Sequence, residues 1–201
     1  LASYVTEALG DAQVGTDQVQ TGQTDFSATV TKVTGGGADA VYYGGYYAEA
    51  SLLVKQLRSG GFKGTFESGD GSLDQGFVDA AGAKAAEGAV LTCPCAPNPE
   101  EFSAKYKEIN GADPGTYSAE AYDSAIALLS GIGEGNEDRA SLLEWINGYD
   151  AAGITKQIKF DEGGEVAARA AHRGVCAVQG GDAARAVRDV GRARPGEQAA
   201  A

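Results

Sequence analysis

Apolar positions in the first half of the chain switch repeatedly between a helical and a strand period. Leu1, Val5, Ala8 and Leu9 make a helical stripe that Gly10 closes. A weak strand is expected over 12–19. Thr24 or Asp25 suits a helix N-cap, Phe26, Val30 and Val33 continue the apolar face, and Gly35-Gly36-Gly37 stops it. The run 38–43 is β-prone and nearly all apolar, as for a strand covered on both faces, which places Tyr42 and Tyr43 in the core. A helix over 49–59 would bury Ala50, Leu53, Val54 and Leu57 at i, i+3, i+4, i+7 spacing. A short strand over 64–68, a short helix over 73–81 and a strand over 89–93 follow. Strands alternating with helices imply parallel pairing through right-handed crossovers, hence an α/β layer of doubly wound type.

After Cys95 the rhythm changes. Asn98-Pro99-Glu100-Glu101 reads as an N-cap, a proline at the first helical position and an acid two further on. Phe102, Tyr106 and Ile109 give that helix its stripe, and Asp113-Pro114-Gly115 is a turn. A longer helix over 117–132 points Tyr122, Ala125, Ile126 and Leu129 inward. A third helix over 138–147 carries Leu142 and Trp145 or Ile146. The segment 155–161 alternates Lys156, Ile158 and Phe160 as a strand and ends in the turn Asp161-Glu162-Gly163-Gly164. Three consecutive helices have too little sheet of their own to cover, so they are expected to pack on strands outside this chain.

Charge divides the sequence at a different place. The whole carries a formal −12. Residues 1–167 hold ten Lys and Arg against twenty-five Asp and Glu, whereas 168–201 hold six Arg against three acids, together with the only His, His172. This segment of Ala, Arg, Gly and Val has no consistent period. It reads as translation of a GC-rich gene out of frame, with a natural disordered tail as the alternative. Three spans result: an α/β portion over 1–95, a helical segment with a return strand over 96–167, and the atypical tail over 168–201. So acidic a chain is a poor partner for nucleic acid, which needs clustered Lys and Arg. No apolar run approaches the ~20 residues of a membrane helix, and the start lacks the basic and apolar regions of a signal peptide.

In open α/β sheets ligands bind beyond the carboxyl ends of strands. Two such ends are rich in glycine here: Gly44-Gly45-Tyr46-Tyr47 after the strand ending at Tyr43, and Gly69-Asp70-Gly71-Ser72 after the strand ending at Ser68. Tyr46 offers an aromatic wall and a hydroxyl. Asp70 offers a carboxylate for an ammonium group through charge-assisted hydrogen bonds. On spacing alone, a turn in which Asp70 bonds its own loop, with the tyrosines serving as packing, is the stronger reading. Cys93-Pro94-Cys95 lacks the Cys-x-x-Cys spacing of catalytic dithiols and the second pair of a zinc site. A small disulfide or two unpaired thiols are equally compatible with it. Gly35-Gly36-Gly37 follows a helix and precedes a strand, the reverse of a phosphate-binding loop. His172 has no partner for a Ser/His/Asp or Cys/His mechanism. No catalytic, metal or cofactor-binding set is expected, so the chain reads as a binding protein rather than an enzyme. A small flavodoxin-like enzyme or redox protein using Cys93 and Cys95 is the alternative.

Several short motifs together carry a resemblance. Ala38-Asp39-Ala40-Val41-Tyr42-Tyr43-Gly44-Gly45-Tyr46-Tyr47-Ala48-Glu49 resembles the leucine/isoleucine/valine-binding proteins of ABC importers. Thr24-Asp25-Phe26-Ser27-Ala28, Lys55-Gln56-Leu57-Arg58, Gly61-Phe62-Lys63, Gly69-Asp70-Gly71, Ala86-Glu87-Gly88 and Asp113-Pro114-Gly115-Thr116-Tyr117 do so as well, in the family's order and near its spacing. The resemblance covers roughly 1–167. It implies a two-lobed periplasmic-binding-protein type I fold that closes on an amino acid of the Leu/Ile/Val kind, docks on an ABC-transporter membrane permease and works outside the cytoplasm. It implies that Tyr46 lines the pocket, that Asp70 takes the ligand's α-ammonium group and that Tyr117 faces its side chain. Many relatives carry glutamate at the Asp70 position, one methylene longer. The resemblance also implies that a strand and a Tyr-Gly segment precede Leu1 in the family, that the chain crosses between lobes near 93–97, and that the helices over 98–147 belong to the first lobe. By that reading the chain is a C-terminal fragment with an incomplete second-lobe sheet, expected to expose apolar faces and to fold weakly.

Overall fold

The computed structural model describes residues 2–95, 97–166, 174–178 and 187–189. They fall into two compact units, Leu1–Pro94 with Arg173–Ala201, and Cys95–His172.

In the first unit β1 (Ala40–Tyr43), β2 (Thr65–Ser68) and β3 (Val90–Cys93) lie side by side and parallel, with Tyr42 opposite Glu67 and Ser68 opposite Leu91. The helices α3 (Tyr47–Ser59), then α4 (Gln75–Ala81) with α5 (Ala83–Ala86), connect them; α1 (Ala2–Leu9), which lies against β1, and α2 (Ser27–Gly35) precede them. The sheet continues through β6 (Gly174–Ala177), antiparallel to β3, and β7 (Val187–Asp189), antiparallel to β6. The reading of 168–201 as a segment without regular structure is therefore corrected for these two strands. The apolar run Val175-Cys176-Ala177-Val178 is too short to stand out in that segment; the open edge of β3 supplies its ladder partner. The rest of that segment, His172 included, lies outside the described residues.

The core of this unit forms where the helical and strand periods agree. Ala50, Leu53, Val54 and Leu57 of α3 are all buried, as their spacing predicts, together with Phe26, Phe66, Phe77 and Leu91. The rings of Phe66 and Phe77 stack at 5.9 Å. Arg58 closes the end of α3 by donating to the carbonyls of Phe62 (3.1 Å) and Gly64 (2.7 Å). Asp74 caps α4 by accepting from the Gly76 amide at 2.7 Å. Two expectations are corrected. The strand over 12–19 is absent: a 3-10 turn at Gly10–Ala12 leads into irregular chain. Asp17 instead accepts from the Thr29 hydroxyl (2.8 Å) and the Lys32 ammonium (2.7 Å), so side chains rather than a ladder fasten the segment. Nor is β1 buried on both faces. Val41 and Tyr43 join the core, while Tyr42 lies half-buried on the opposite face beside Glu67.

The second unit holds α6 (Glu100–Asn110), α7 (Ser118–Gly133), α8 (Arg139–Asn147) and a hairpin of β4 (Asp150–Ala152) and β5 (Gln157–Lys159). Asp138 caps α8, accepting from the amides of Ala140 (2.9 Å) and Ser141 (3.1 Å). Within this chain α7 does not bury the face whose large side chains were expected to point inward. Its buried positions are Ala119, Asp123, Ala127 and Gly131, whereas Tyr122 and Leu129 are 45% and 61% exposed. Small residues decide the face because they let neighbours approach. Gly131 meets Leu142 and Trp145 of α8, and Trp145 Nε1 donates to the Ala127 carbonyl at 3.3 Å. Phe102 does contact Tyr106 and Tyr122, at 5.8 and 5.6 Å, but Ile109 stands in solvent. Among the described residues no helix is long and apolar enough to cross a membrane.

Candidate functional site

Parallel pairing puts the carboxyl ends of β1 and β2 at the same edge of the sheet, so the loops leaving them are neighbours. The two glycine-rich turns chosen from sequence do meet. Gly44, Gly45 and Tyr46 from the first, and Gly69, Asp70 and Gly71 from the second, line one cavity of about 300 Å³. Tyr46, at the N-cap of α3, is 72% exposed and stands over it. Asp70 opens a 3-10 turn, Asp70–Ser72, and is half-buried.

A pair of serines that the sequence reading passed over holds these loops together. Ser68 and Ser72 are fully buried. The Ser68 hydroxyl donates to the Tyr43 carbonyl at 2.8 Å, and its oxygen lies 2.7 Å from Ser72 Oγ. Ser72 Oγ is also 3.3 Å from the Gly45 carbonyl. One hydrogen-bonded chain thus crosses from the β2 turn to the β1 turn at two places. Gly71 completes the join: a Cβ there would lie 2.8 Å from the Gly45 carbonyl oxygen and 3.1 Å from Tyr46 Cδ1. The available signal was Ser68 itself, a small polar residue at a core-facing position of a strand just before glycine.

Negative charge surrounds the site's flank. Burial pushes the Tyr42 hydroxyl above its ordinary pKa, and the carboxylates of Asp70 and Glu67 push it further. Tyr43 on the other face is raised chiefly by burial and then by Glu49, against the opposing pull of the Tyr46 amide. Both phenols therefore keep their protons at neutral pH and can serve as donors. An exposed aromatic ring, a carboxylate and close-packed glycine backbone suit a small ligand with a cationic end.

Tyr117 belongs to the second unit. It precedes α7 with φ 65° and ψ 8°, the one non-glycine residue at positive φ among those described. Such strain in a bulky residue persists only where its surroundings fix it, and functional sites are where it concentrates.

Cys93 and Cys95 are both disulfide-bonded. With only Cys176 besides them in the chain, both can be bonded only if they are joined to each other. They are 4% and 7% exposed, which removes the accessible dithiol that the redox alternative requires. Among the described residues no group of three or more His, Cys, Asp or Glu could hold a metal ion.

The sequence profile of the family described as "Periplasmic binding protein" matches residues 1–189. An "Amino acid binding protein" of Pseudomonas aeruginosa is 30% identical over 163 residues, covering 79% of this chain and 44% of that protein. A "Leu/Ile/Val-binding protein homolog 2" of Brucella abortus is 33% identical over 126 residues, 61% of this chain and 33% of the relative. Among solved structures, the leucine binding protein LivK of Thermotoga maritima superposes with a TM-score of 0.69 at 30% identity, over 82% of this chain and 48% of that one. The branched-chain amino acid transporter substrate binding protein LivJ of Streptococcus pneumoniae, solved with isoleucine, gives a TM-score of 0.72 at 26% identity with the same coverage. The chain thus spans less than half the length of these relatives.

Proposed function

The chain belongs to the periplasmic binding protein family, and from that premise we propose that it serves an extracytoplasmic receptor which captures a branched-chain type of amino acid and delivers it to an ABC importer. The observation that carries this reading is the meeting of the two strand-end loops, with Tyr46 and Asp70 on one cavity of about 300 Å³. That volume is at the small end of ligand pockets and suits a single amino acid.

Each residue then has a role. The Asp70 carboxylate accepts hydrogen bonds from the ligand's α-ammonium group, and the negative charge of Glu67 and Asp70 on that flank favours that end of the zwitterion. Tyr46 supplies an aromatic wall, and the Gly44, Gly45, Gly69 and Gly71 backbone leaves room for close approach. Tyr117, whose backbone is αL, would face the ligand's side chain, as the resemblance implies. Nothing in this scheme breaks a covalent bond: affinity and closure on the ligand are the whole of the mechanism, and the closed form is what a permease would recognise.

Calorimetric titration of leucine, isoleucine, valine, serine and glutamate into the protein tests the reading. Saturable binding of the three aliphatic amino acids, weakened when Tyr46 is replaced by alanine, is the expected result. Absence of heat from all five with a folded protein would remove the amino-acid assignment.

A further inference from the structure

The end of α8 and the start of β4 leave two aromatic rings and a carboxylate on one concavity. Trp145 and Tyr149 stand four residues apart, with ring centroids separated by 6.2 Å and planes tilted by 55°. Together with Asn136, Ser141, Glu144 and Asp150 they line a cavity of about 420 Å³. All of these residues lie in the second unit, and none of them lines the cavity of Tyr46 and Asp70.

Packing within the unit accounts for only part of this arrangement. The Trp145 indole is fixed by its pyrrole edge: Nε1 donates to the Ala127 carbonyl at 3.3 Å, and Gly131 makes room for Cδ1. The benzene side of the indole is left to line the cavity with the Tyr149 ring, and both residues are half-buried. The polar groups divide in the same way. Asn136 Nδ2 donates to the Gly131 carbonyl at 3.1 Å, and the Ser141 hydroxyl donates to Asp138 Oδ2 at 2.9 Å. Asp150 accepts from Gln157 (2.7 Å) and from the Lys159 ammonium (2.6 Å), so its charge is compensated. Glu144 is exposed, and its carboxylate has neither ion pair nor hydrogen bond among the described residues. Residues 97–166 hold five Lys and Arg against fourteen Asp and Glu, so the field around this surface favours cations.

We propose that this concavity is a second binding site, for a small organic cation whose ammonium group is methylated, with choline as the simplest case. Cation–π attraction reaches to about 6 Å from a ring centroid, and rings whose centroids are 6.2 Å apart can both act on one cation. The uncompensated Glu144 carboxylate supplies the countercharge. A primary ammonium would have to give up hydrogen bonds to water that the rings do not replace, whereas a trimethylated one has none to give and covers the rings with its methyl groups. The chemistry differs from that at Asp70, where an ammonium group donates hydrogen bonds, and the inference does not rest on the amino-acid reading.

Trp145 is the chain's only tryptophan, so its emission reports this site directly. Choline chloride titrated at constant ionic strength should give a saturable change in that emission, which sodium chloride alone does not produce. The uncharged isostere 3,3-dimethylbutan-1-ol should bind about tenfold more weakly. Glu144→Gln should weaken choline about threefold. Tyr149→Ala should weaken it about fivefold, and Tyr149→Phe, which keeps the ring, should bind as wild type does. Absence of a saturable change, a change that follows salt alone, or equal binding of the isostere overturns the proposal. So does choline binding that neither Glu144→Gln nor Tyr149→Ala weakens. If Tyr149→Ala does not fold, the isostere and the exposed Glu144 decide.

Discussion

Replacing Ser68 by alanine should loosen the site edge of the first unit by about 2–3 kcal/mol, because the change removes hydrogen bonds while leaving almost no cavity. Ser68 and Ser72 are both fully buried, so no water takes over what is lost. The Ser68 hydroxyl donates to the Tyr43 carbonyl at 2.8 Å and its oxygen pairs with Ser72 Oγ at 2.7 Å. A typical net hydrogen bond is worth about 1 kcal/mol, and a buried polar group left unsatisfied costs about 1–3 kcal/mol. Ser72 keeps a longer fallback on the Gly45 carbonyl at 3.3 Å, which limits the loss at that end. Ser72→Ala leaves the Ser68–Tyr43 bond in place and should cost only about 1 kcal/mol. The two serines share a bond, so the double variant should cost about 1 kcal/mol less than the sum of the singles. Native-state hydrogen exchange at the amides of β1 and β2 reads this locally. Ser68→Ala should speed exchange roughly 30- to 150-fold, and Ser72→Ala roughly fivefold. Less than a threefold change for Ser68→Ala, or an equal effect from Ser72→Ala, would refute the assigned network.

Four further outcomes follow from other parts of the chain. Asp123 is 4% exposed and accepts from the amides of Ile154 (2.7 Å) and Thr155 (2.9 Å) and from the Thr155 hydroxyl, so Asp123→Ala should cost the second unit about 2–4 kcal/mol in urea unfolding followed by Trp145 fluorescence. Gly153→Ala should destabilise the same unit, since its new Cβ would overlap the Asp123 carboxylate that those bonds hold in place. The Lys32 ammonium and the Thr29 hydroxyl hold the Asp17 carboxyl below its ordinary pKa. Its contribution to stability is therefore present above about pH 4 and lost as pH falls through the lowered value, and thermal melts between pH 5 and 2.5 should show Asp17→Asn flatter than wild type. Tyr117→Gly should keep or raise stability by up to about 1 kcal/mol by relieving the αL backbone, while ligand affinity falls roughly tenfold. Lost stability with unchanged affinity would reverse the role given to Tyr117.

Elements with a strong single period were legible in the sequence. The α3 stripe of Ala50, Leu53, Val54 and Leu57 is buried as its spacing predicts, and the strands β1, β2 and β3 fall within one or two residues of their expected spans. The neighbouring strand-end loops were legible because glycine clusters mark the ends of parallel strands. What failed depended on partners far along the chain. Large side chains suggested the inward face of α7, but Ala127 and Gly131 win because α8 approaches closely there. The strands β6 and β7 are short and stand in a segment without a consistent period, so their pairing on β3 and on each other reveals them. β4 was missed for the same reason: its three residues, Asp150–Ala152, make a strand only beside β5. The Ser68–Ser72 pair needed the register of β1 on β2, and the Cys93–Cys95 bond was one of two readings that spacing left open.

The central claim is that Asp70 receives the ammonium group of an amino acid. Titrating leucine and its α-hydroxy analogue, 2-hydroxy-4-methylpentanoate, into wild-type protein and the Asp70→Asn variant tests it most directly. The account predicts that Asp70→Asn weakens leucine about 100-fold, on the order of a lost charge-assisted bond of 2–3 kcal/mol. It also predicts that the hydroxy acid, which lacks the cation, binds wild type weakly and changes less than about threefold. Equal losses for the two ligands, or leucine binding untouched by Asp70→Asn, would contradict it.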